Sequence, residues 1–180
     1  MQLINLRNID SKYLKASVYG ANDGIITTFA VVAGVAGAGL SPSIILILGI
    51  ANMIADGISM GVGDFLGERS EQRFRKQQEK SSELEGLWKT GLVTFIAFVV
   101  AGSLPLVPYV LAALGMPIAI ANQFFSSIVA TVFALFLIGS LRTVLTAGVW
   151  WKNGLEMLSI GAIAAIVAYS IGAIIERMIS

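Results

Sequence analysis

Two residue types that build many catalytic and metal sites are missing from this 180-residue sequence, which contains no cysteine and no histidine. Without cysteine there are no disulfides, no thiolate metal ligands and no thiol nucleophile. Without histidine the chain lacks the commonest metal ligand and the usual proton shuttle, and a Ser-His-Asp triad is excluded. Any metal site must therefore use oxygen ligands or methionine sulfur, and any proton-coupled step must use Asp or Glu.

Charge is also scarce, since 13% of the residues are charged and 56% are hydrophobic. A soluble domain of this size carries roughly a quarter charged residues. So few charges do not cover a water-facing surface, and we expect the lipid bilayer to be part of the solvent. The net charge of +1 gives no reason to expect nucleic acid as a partner, and no nucleotide-binding glycine motif points to an enzyme.

Five stretches are long and apolar enough to cross a bilayer, which takes about 20 helical residues. They are predicted at 18–40, 44–66, 92–114, 124–141 and 155–175, with a short link at 67–90. The predicted fold class is an all-α integral membrane protein with one transmembrane domain over 1–180. Pro105 and Pro108 interrupt the third stretch, which therefore either ends early or kinks at that point.

Residues 1–16 alternate polar and apolar side chains and do not form a secretory signal. Leu3, Leu6, Ile9 and Tyr13 recur at helical spacing. This pattern predicts a short amphipathic N-terminal helix on the membrane surface. The alternative is a frayed tail.

Lysine and arginine are distributed unevenly among the predicted connections. Of the 12 in the chain, all except Arg177 lie in the N-terminal tail, the second connection or the fourth. Positive residues collect on the cytoplasmic side of a membrane, so we predict an N-in, C-out orientation. The predicted location is the plasma membrane of a prokaryote or an organelle membrane, with the N-terminus in the cytoplasm.

Carboxylates inside a membrane are costly and are functional candidates. Asp23 and Asp56 are the firm cases, and Asp64 lies at the edge of its span. On a helix with 100° per residue, one stripe of the second span carries the candidate metal ligands Asn52, Met53, Asp56, Met60 and Asp64. Mixed oxygen and thioether ligands suit Fe²⁺ better than Ca²⁺.

Each candidate ligand also has a structural interpretation. Met53 and Met60 could simply pack, because methionine commonly fills helix interfaces. Asn22-Asp23-Gly24 also has the composition of a helix N-cap and turn. In the link, Glu68 and Glu71 belong either to a solvated helix that extends the second span or to a cation entrance.

Small residues recur at helical spacing in the first two spans, for example at Ala30, Gly34 and Gly37, at Gly57 and Gly61, and at Gly63 and Gly67. Such rows let helix backbones approach closely. They predict a tight bundle and are also compatible with a dimer seam or with ordinary glycine use in membrane helices.

Three stretches resemble the vacuolar iron transporter family: residues 19–41 (YGANDGIITTFAVVAGVAGAGLS), 54–71 (IADGISMGVGDFLGERSE) and 134–172. The resemblance implies a five-helix homodimer that exports Fe²⁺, and often Mn²⁺, from the cytosol in exchange for protons. It implies that Asp23 of NDG and Met60 of SMG line a path between two subunits. The metal is then cargo, with no permanently bound cofactor.

Two features depart from the family pattern. The link at 67–90 is too short for the Glu-rich metal-binding module of better-known members, as in the nodulin-like branch. Asn52 stands where members often carry an acidic residue, and Asp56 stands where they usually have a small one. A membrane scaffold with degenerate ion sites and a passive cation channel therefore remain alternative functions.

The orientation is tested with single cysteines, which the cysteine-free chain makes unambiguous. Ser41→Cys and Ser81→Cys should react with a membrane-impermeant maleimide from opposite sides of sealed vesicles. Labelling of both from the same side would contradict the predicted topology.

Overall fold

The computed structural model describes residues 11–77, 86–116, 122–144 and 148–180, and every regular element in these ranges is helical. The α-helices are α1 (Ser11–Gly37), α2 (Pro42–Gln77), α3 (Leu87–Gly102), α4 (Val107–Ala113), α5 (Gln123–Leu141) and α6 (Trp150–Ile179). Short 3₁₀ turns lie at Leu104–Leu106 and Arg142–Val144.

Five helical segments of the described chain are long and apolar enough to cross a membrane. They are Lys12–Gly37, Pro42–Phe74, Leu87–Ala113, Gln123–Val144 and Trp150–Ile179. The protein is therefore an all-α integral membrane protein with five spans, as its long apolar runs predict.

The ends of the predicted spans shift because helix continues into the polar flanks. Residues 11–16 form the first turns of α1, while the rest of the predicted surface helix lies outside the described residues. α2 runs on to Gln77, so the first part of the link is a helical extension of the second span.

The third span kinks rather than ending early. α3 stops at Gly102, a 3₁₀ turn follows, and α4 carries the chain on to Ala113. The turn holds Pro105, and Pro108 lies in the first turn of α4. The hydroxyl of Ser127 on α5 donates a 2.6 Å hydrogen bond to the carbonyl of Pro105. A neighbouring side chain thus satisfies a carbonyl at the interruption, as the apolar surroundings require.

α1 is the central helix and contacts α2, α3, α5 and α6. Glycine makes the closest approaches possible: a Cβ at Gly20 or Gly24 would overlap the backbone of α3, and one at Gly37 would overlap the backbone of Tyr169 on α6. Gly34 also faces the α6 backbone, at Ala168. Gly34 and Gly37 thus pack against α6 inside the bundle.

The two ends of the bundle differ in polarity. At one end, here called the charged end, Lys12 pairs with Glu68 and Arg142 pairs with Glu156. At the other, here called the turn end, the chain passes from α1 to α2 through Gly39, which has a φ of 63°. α1 starts at the charged end and α6 finishes at the turn end.

Candidate functional site

Four of the candidate ligands form a row along α2: Asn52, Asp56, Met60 and Asp64, each half-buried. On one side of this row lie Gly57 and Gly61, buried against α3. On the other side lies an exposed row of small residues, Ala51, Ala55, Ser59 and Gly63. The ligand row therefore follows the border between the packed face of α2 and its open face.

Asp23 lies in the middle of α1, 11 residues after Lys12, or about 17 Å along the axis. The interpretation of Asn22-Asp23-Gly24 as a helix N-cap is therefore wrong. The helix continues because Gly24 packs against α3, and the hydroxyl of Thr27 donates a 2.8 Å hydrogen bond to the carbonyl of Asp23.

Asp23 on α1 and Asp56 on α2 belong to two helices that contact each other, and their carboxylates are near enough to interact electrostatically. Within the described ranges, no lysine or arginine forms an ion pair with either carboxylate. Two like charges in an apolar bundle without a counter-charge form a site that favours a cation.

The amide of Asn52 supports this pair by donating a hydrogen bond of 2.6 Å from Nδ2 to Oδ2 of Asp56. The donation uses the amide N–H and keeps the amide oxygen as an acceptor. The hydrogen bond engages the Oδ2 atom of the Asp56 carboxylate.

Asp64 has a partner that the sequence alone did not reveal. The hydroxyl of Thr94 on α3 is almost fully buried and donates a 2.8 Å hydrogen bond to Oδ2 of Asp64. Asp64 is two turns, about 12 Å, from Asp56 along the helix axis. The structure thus places Asp64 at the α2–α3 contact and does not join it to the Asp23–Asp56 pair.

The two methionines differ in position. Met53 is 6% exposed and belongs to the buried core, which supports the packing interpretation for this residue. Met60 is half-buried, one turn beyond Asp56 on the same row. Of the two thioethers, Met60 is the one placed to reach a cation that moves along the row.

At the predicted cation entrance, Glu68 is already paired with a lysine side chain of the protein. Oε2 of Glu68 lies 2.6 Å from Nζ of Lys12, which links α2 to the start of α1 at the charged end. Glu71 is exposed one turn further along α2. A metal ion that used Glu68 would have to displace the lysine.

Asn22 is a further candidate that the sequence showed only as part of a turn motif. Its Oδ1 is buried and has no hydrogen-bond partner among the described residues. It directly precedes Asp23, and an amide oxygen is a suitable ligand for a divalent cation. Only the fold shows that this amide oxygen is buried, and its burial is what makes Asn22 a candidate ligand.

One chain supplies a sparse ligand set. No group of three Asp or Glu side chains converges within the described ranges. The pair Asp23–Asp56, with amide oxygens from Asn22 and Asn52 and sulfur from Met60 nearby in sequence, offers mixed ligands of moderate softness. Such a set is suited to a cation that binds and then leaves, because tight structural sites surround the metal more completely.

The chain is similar to known membrane transporters over most of its length. A family model described as the VIT family matches residues 14–87 and 76–173. A vacuolar iron transporter of Toxoplasma gondii is 28% identical over 97% of the chain and 78% of its own length. Vacuolar iron transporter 1 of Arabidopsis thaliana is 26% identical over 89% of the chain and 85% of its own length.

The alignments also bear on the short link. The Toxoplasma alignment runs over 236 positions, although the chain has 180 residues, so that relative carries additional residues opposite gaps. The two pieces of the family match meet between 76 and 87, inside the link. A vacuolar iron transporter of Plasmodium falciparum aligns more locally, at 38% identity over 43% of the chain and 29% of its own length.

The carboxylate pair predicts opposite effects on stability with and without metal. Asp23→Asn and Asp56→Asn should each raise the unfolding temperature of the metal-free protein in detergent, because they remove the repulsion between the two carboxylates. Mn²⁺ at 100 times its dissociation constant should stabilise the parent by about 2.7 kcal/mol, and this gain should be lost in both variants.

The matched control is Glu176→Gln, near the C-terminus of α6, where the carboxylate accepts a hydrogen bond from Ser180. It should keep the full Mn²⁺ shift. An equal Mn²⁺ shift in the parent and in Asp23→Asn would show that the metal binds elsewhere.

Proposed function

The chain belongs to the VIT family of membrane transporters, and we propose that it exports Fe²⁺, and also Mn²⁺, from the cytosol in exchange for protons. Its relatives and its five membrane spans support metal-ion transport in general. The observation that carries the finer proposal is the Asp23–Asp56 pair, which faces across two helices inside the membrane without a basic partner among the described residues.

The ligand chemistry favours a divalent ion of intermediate softness. Carboxylate and amide oxygens alone would suit Mg²⁺ or Mn²⁺, and the sulfur of Met60 extends the preference toward later metals. The thioether of Met60 is uncharged, so Met60 would affect which metal is preferred and would not add to the electrostatic attraction of a cation. Fe²⁺ and Mn²⁺ satisfy both conditions.

Proton coupling follows from the lack of other titratable ligands. A carboxylate must lose its proton before it binds a metal, so metal and protons compete for the same oxygens. We assume that the site switches between the two sides of the membrane only when the carboxylate pair holds either a metal ion or protons. Metal ions and protons are then exchanged across the membrane. Asp23 and Asp56 would perform both tasks, because no histidine or cysteine is present to share them.

A second copy of the chain would complete the sparse ligand set. The open face of α2 carries the small residues Ala55, Ser59 and Gly63, and a Cβ at Gly63 would meet no atom within 4 Å. Small rows allow close helix contact in a membrane. Two copies joined along these rows would bring two ligand rows to one seam, with the metal path between them.

The proposed setting is an organelle membrane or the plasma membrane of a prokaryote. The N-terminus and the charged end would face the cytosol, as the distribution of lysine and arginine predicts. The partners are then a second copy, the bilayer, and the transported metal ions and protons.

Transport is tested in proteoliposomes that contain a metal-sensitive dye and carry an imposed pH gradient. The parent should move Fe²⁺ and Mn²⁺ at a rate that rises with the gradient. Asp23→Asn should lose nearly all transport, Asp56→Asn should lose most of it, and Met60→Ala should change the Fe²⁺ to Mn²⁺ ratio while coupling to protons persists. Glu176→Gln should behave as the parent.

Two results would reject this mechanism. Parent-like rates for Asp23→Asn would remove the carboxylate pair from the path. Uptake that ignores the pH gradient would replace antiport by a passive channel, and no uptake at all would favour a scaffold.

The dimer is tested by single-cysteine crosslinking in native membranes. Ser59→Cys on the open face of α2 should form a disulfide-linked dimer on mild oxidation. Ile163→Cys, on the exposed face of α6, should remain monomeric on gels. Crosslinking at Ile163 and not at Ser59 would move the seam to α6.

A further inference from the structure

An apolar groove of about 410 Å³ runs between α5 and α6, with α1 as its floor. It lies on the side of α1 away from the α2 ligand row. Its lining is almost entirely hydrocarbon and includes Phe29, Ala33, Ile128, Leu158, Ala162 and Ile166. It extends along α5 from Leu135 to Phe124, about 17 Å, which is more than half of a ~30 Å hydrocarbon core.

A second, more polar cavity of about 510 Å³ lies at the turn end of the bundle. Tyr109, Asn122 and Gln123 contribute its polar groups. Tyr109 is only 3% exposed, and its hydroxyl has no hydrogen-bond partner among the described residues. A buried hydroxyl without a partner costs free energy, so this cavity is suited to a ligand that supplies one.

The groove and the polar cavity share a wall. Phe124 and Tyr169 line both of them. Their rings stack with centroids 6.2 Å apart, and Phe29 stacks on Phe124 at 6.5 Å. The apolar groove and the more polar cavity are therefore adjacent, and together they form an amphipathic surface with its polar part at the turn end.

We propose that this surface binds one glycerolipid of the host bilayer. The acyl chain lies in the groove, and the ester and head atoms reach the polar cavity, where a carbonyl oxygen can accept a hydrogen bond from Tyr109. Lipid is the molecule that presents hydrocarbon at the depth of the groove and ester groups at the depth of the cavity. Among the described residues, no charged side chain lines either space, so the proposed recognition needs no anionic headgroup.

The probe is a phosphatidylcholine with a photoactivatable group on one acyl chain, with the protein held in phosphatidylcholine nanodiscs. After illumination, mass spectrometry should find the label concentrated on the α6 peptide at Leu158, Ala162 and Ile166. Ala162→Phe, which fills the groove, should lower this label at least tenfold. Ile163→Phe, the adjacent residue but 64% exposed and outside the groove, should leave it unchanged.

Tyr109→Phe tests the polar end without changing the shape of the side chain. It should lower the retention of phosphatidylcholine in detergent, counted by native mass spectrometry, by about fivefold, the loss expected for one hydrogen bond. Unlabelled phosphatidylglycerol should compete no better than phosphatidylcholine. Ile166→Trp, on the exposed rim of the groove, provides a second blocking variant should Ala162→Phe fail to fold.

Several results would overturn the proposal. Labelling spread evenly around the exposed residues of α5 and α6 would show ordinary solvation by lipid. Crosslinks from the groove to another protein chain would make it a helix-docking surface. A strong preference for phosphatidylglycerol, or full retention in Tyr109→Phe, would remove the assigned head recognition. None of these readouts depends on metal transport, so they stand apart from the test of the exporter.

Discussion

Backbone contact between α1 and its neighbours is the constraint on which the rest of the structure depends. Only glycine permits it at Gly20 and Gly24 against α3 and at Gly37 against α6, where any Cβ would overlap main-chain atoms. In a bilayer no hydrophobic force drives helices together, so such close packing supplies much of the attraction. It also fixes the rotation of α1, and through this rotation it directs Asp23 toward α2.

The polar groups inside the bundle follow from the same constraint. Once the helices are this close, polar side chains inside the bundle need partners from the protein, and some find them across a helix contact. Thr94 does this for Asp64, and Ser127 does it for the carbonyl of Pro105. Asp23 and Asp56 differ, since neither has a basic partner among the described residues and Asp56 accepts its hydrogen bond from Asn52 on its own helix. The expected cost of two carboxylates without a counter-charge inside a membrane makes the pair a candidate functional site.

The sequence was sufficient for features that depend on one helix at a time. Apolar length predicted the five spans, and helical periodicity predicted that Asn52, Asp56, Met60 and Asp64 share one side of α2. Sequence patterns did not predict the features that depend on how two helices pack against each other. The spacing of small residues in Ala30–Gly37 predicted a close helix contact. Only the fold shows that the partner helix is α6. The cap interpretation of Asp23 failed because packing at Gly24 overrides a local turn signal. The pairing of Lys12 with Glu68 joins residues 56 positions apart and has no local signature.

The odd number of spans has a consequence for how such a protein can evolve. α1 begins at the charged end and α6 finishes at the turn end, so the start of the first span and the end of the fifth lie on opposite sides of the membrane. Two copies in the same orientation cannot be fused head to tail by simple gene duplication, because the second copy would be inserted upside down. A parallel pair can arise only from two separate polypeptides or through the gain of a sixth crossing. Two identical polypeptides would share one gene, so a substitution in that gene would change both halves of the pair at once.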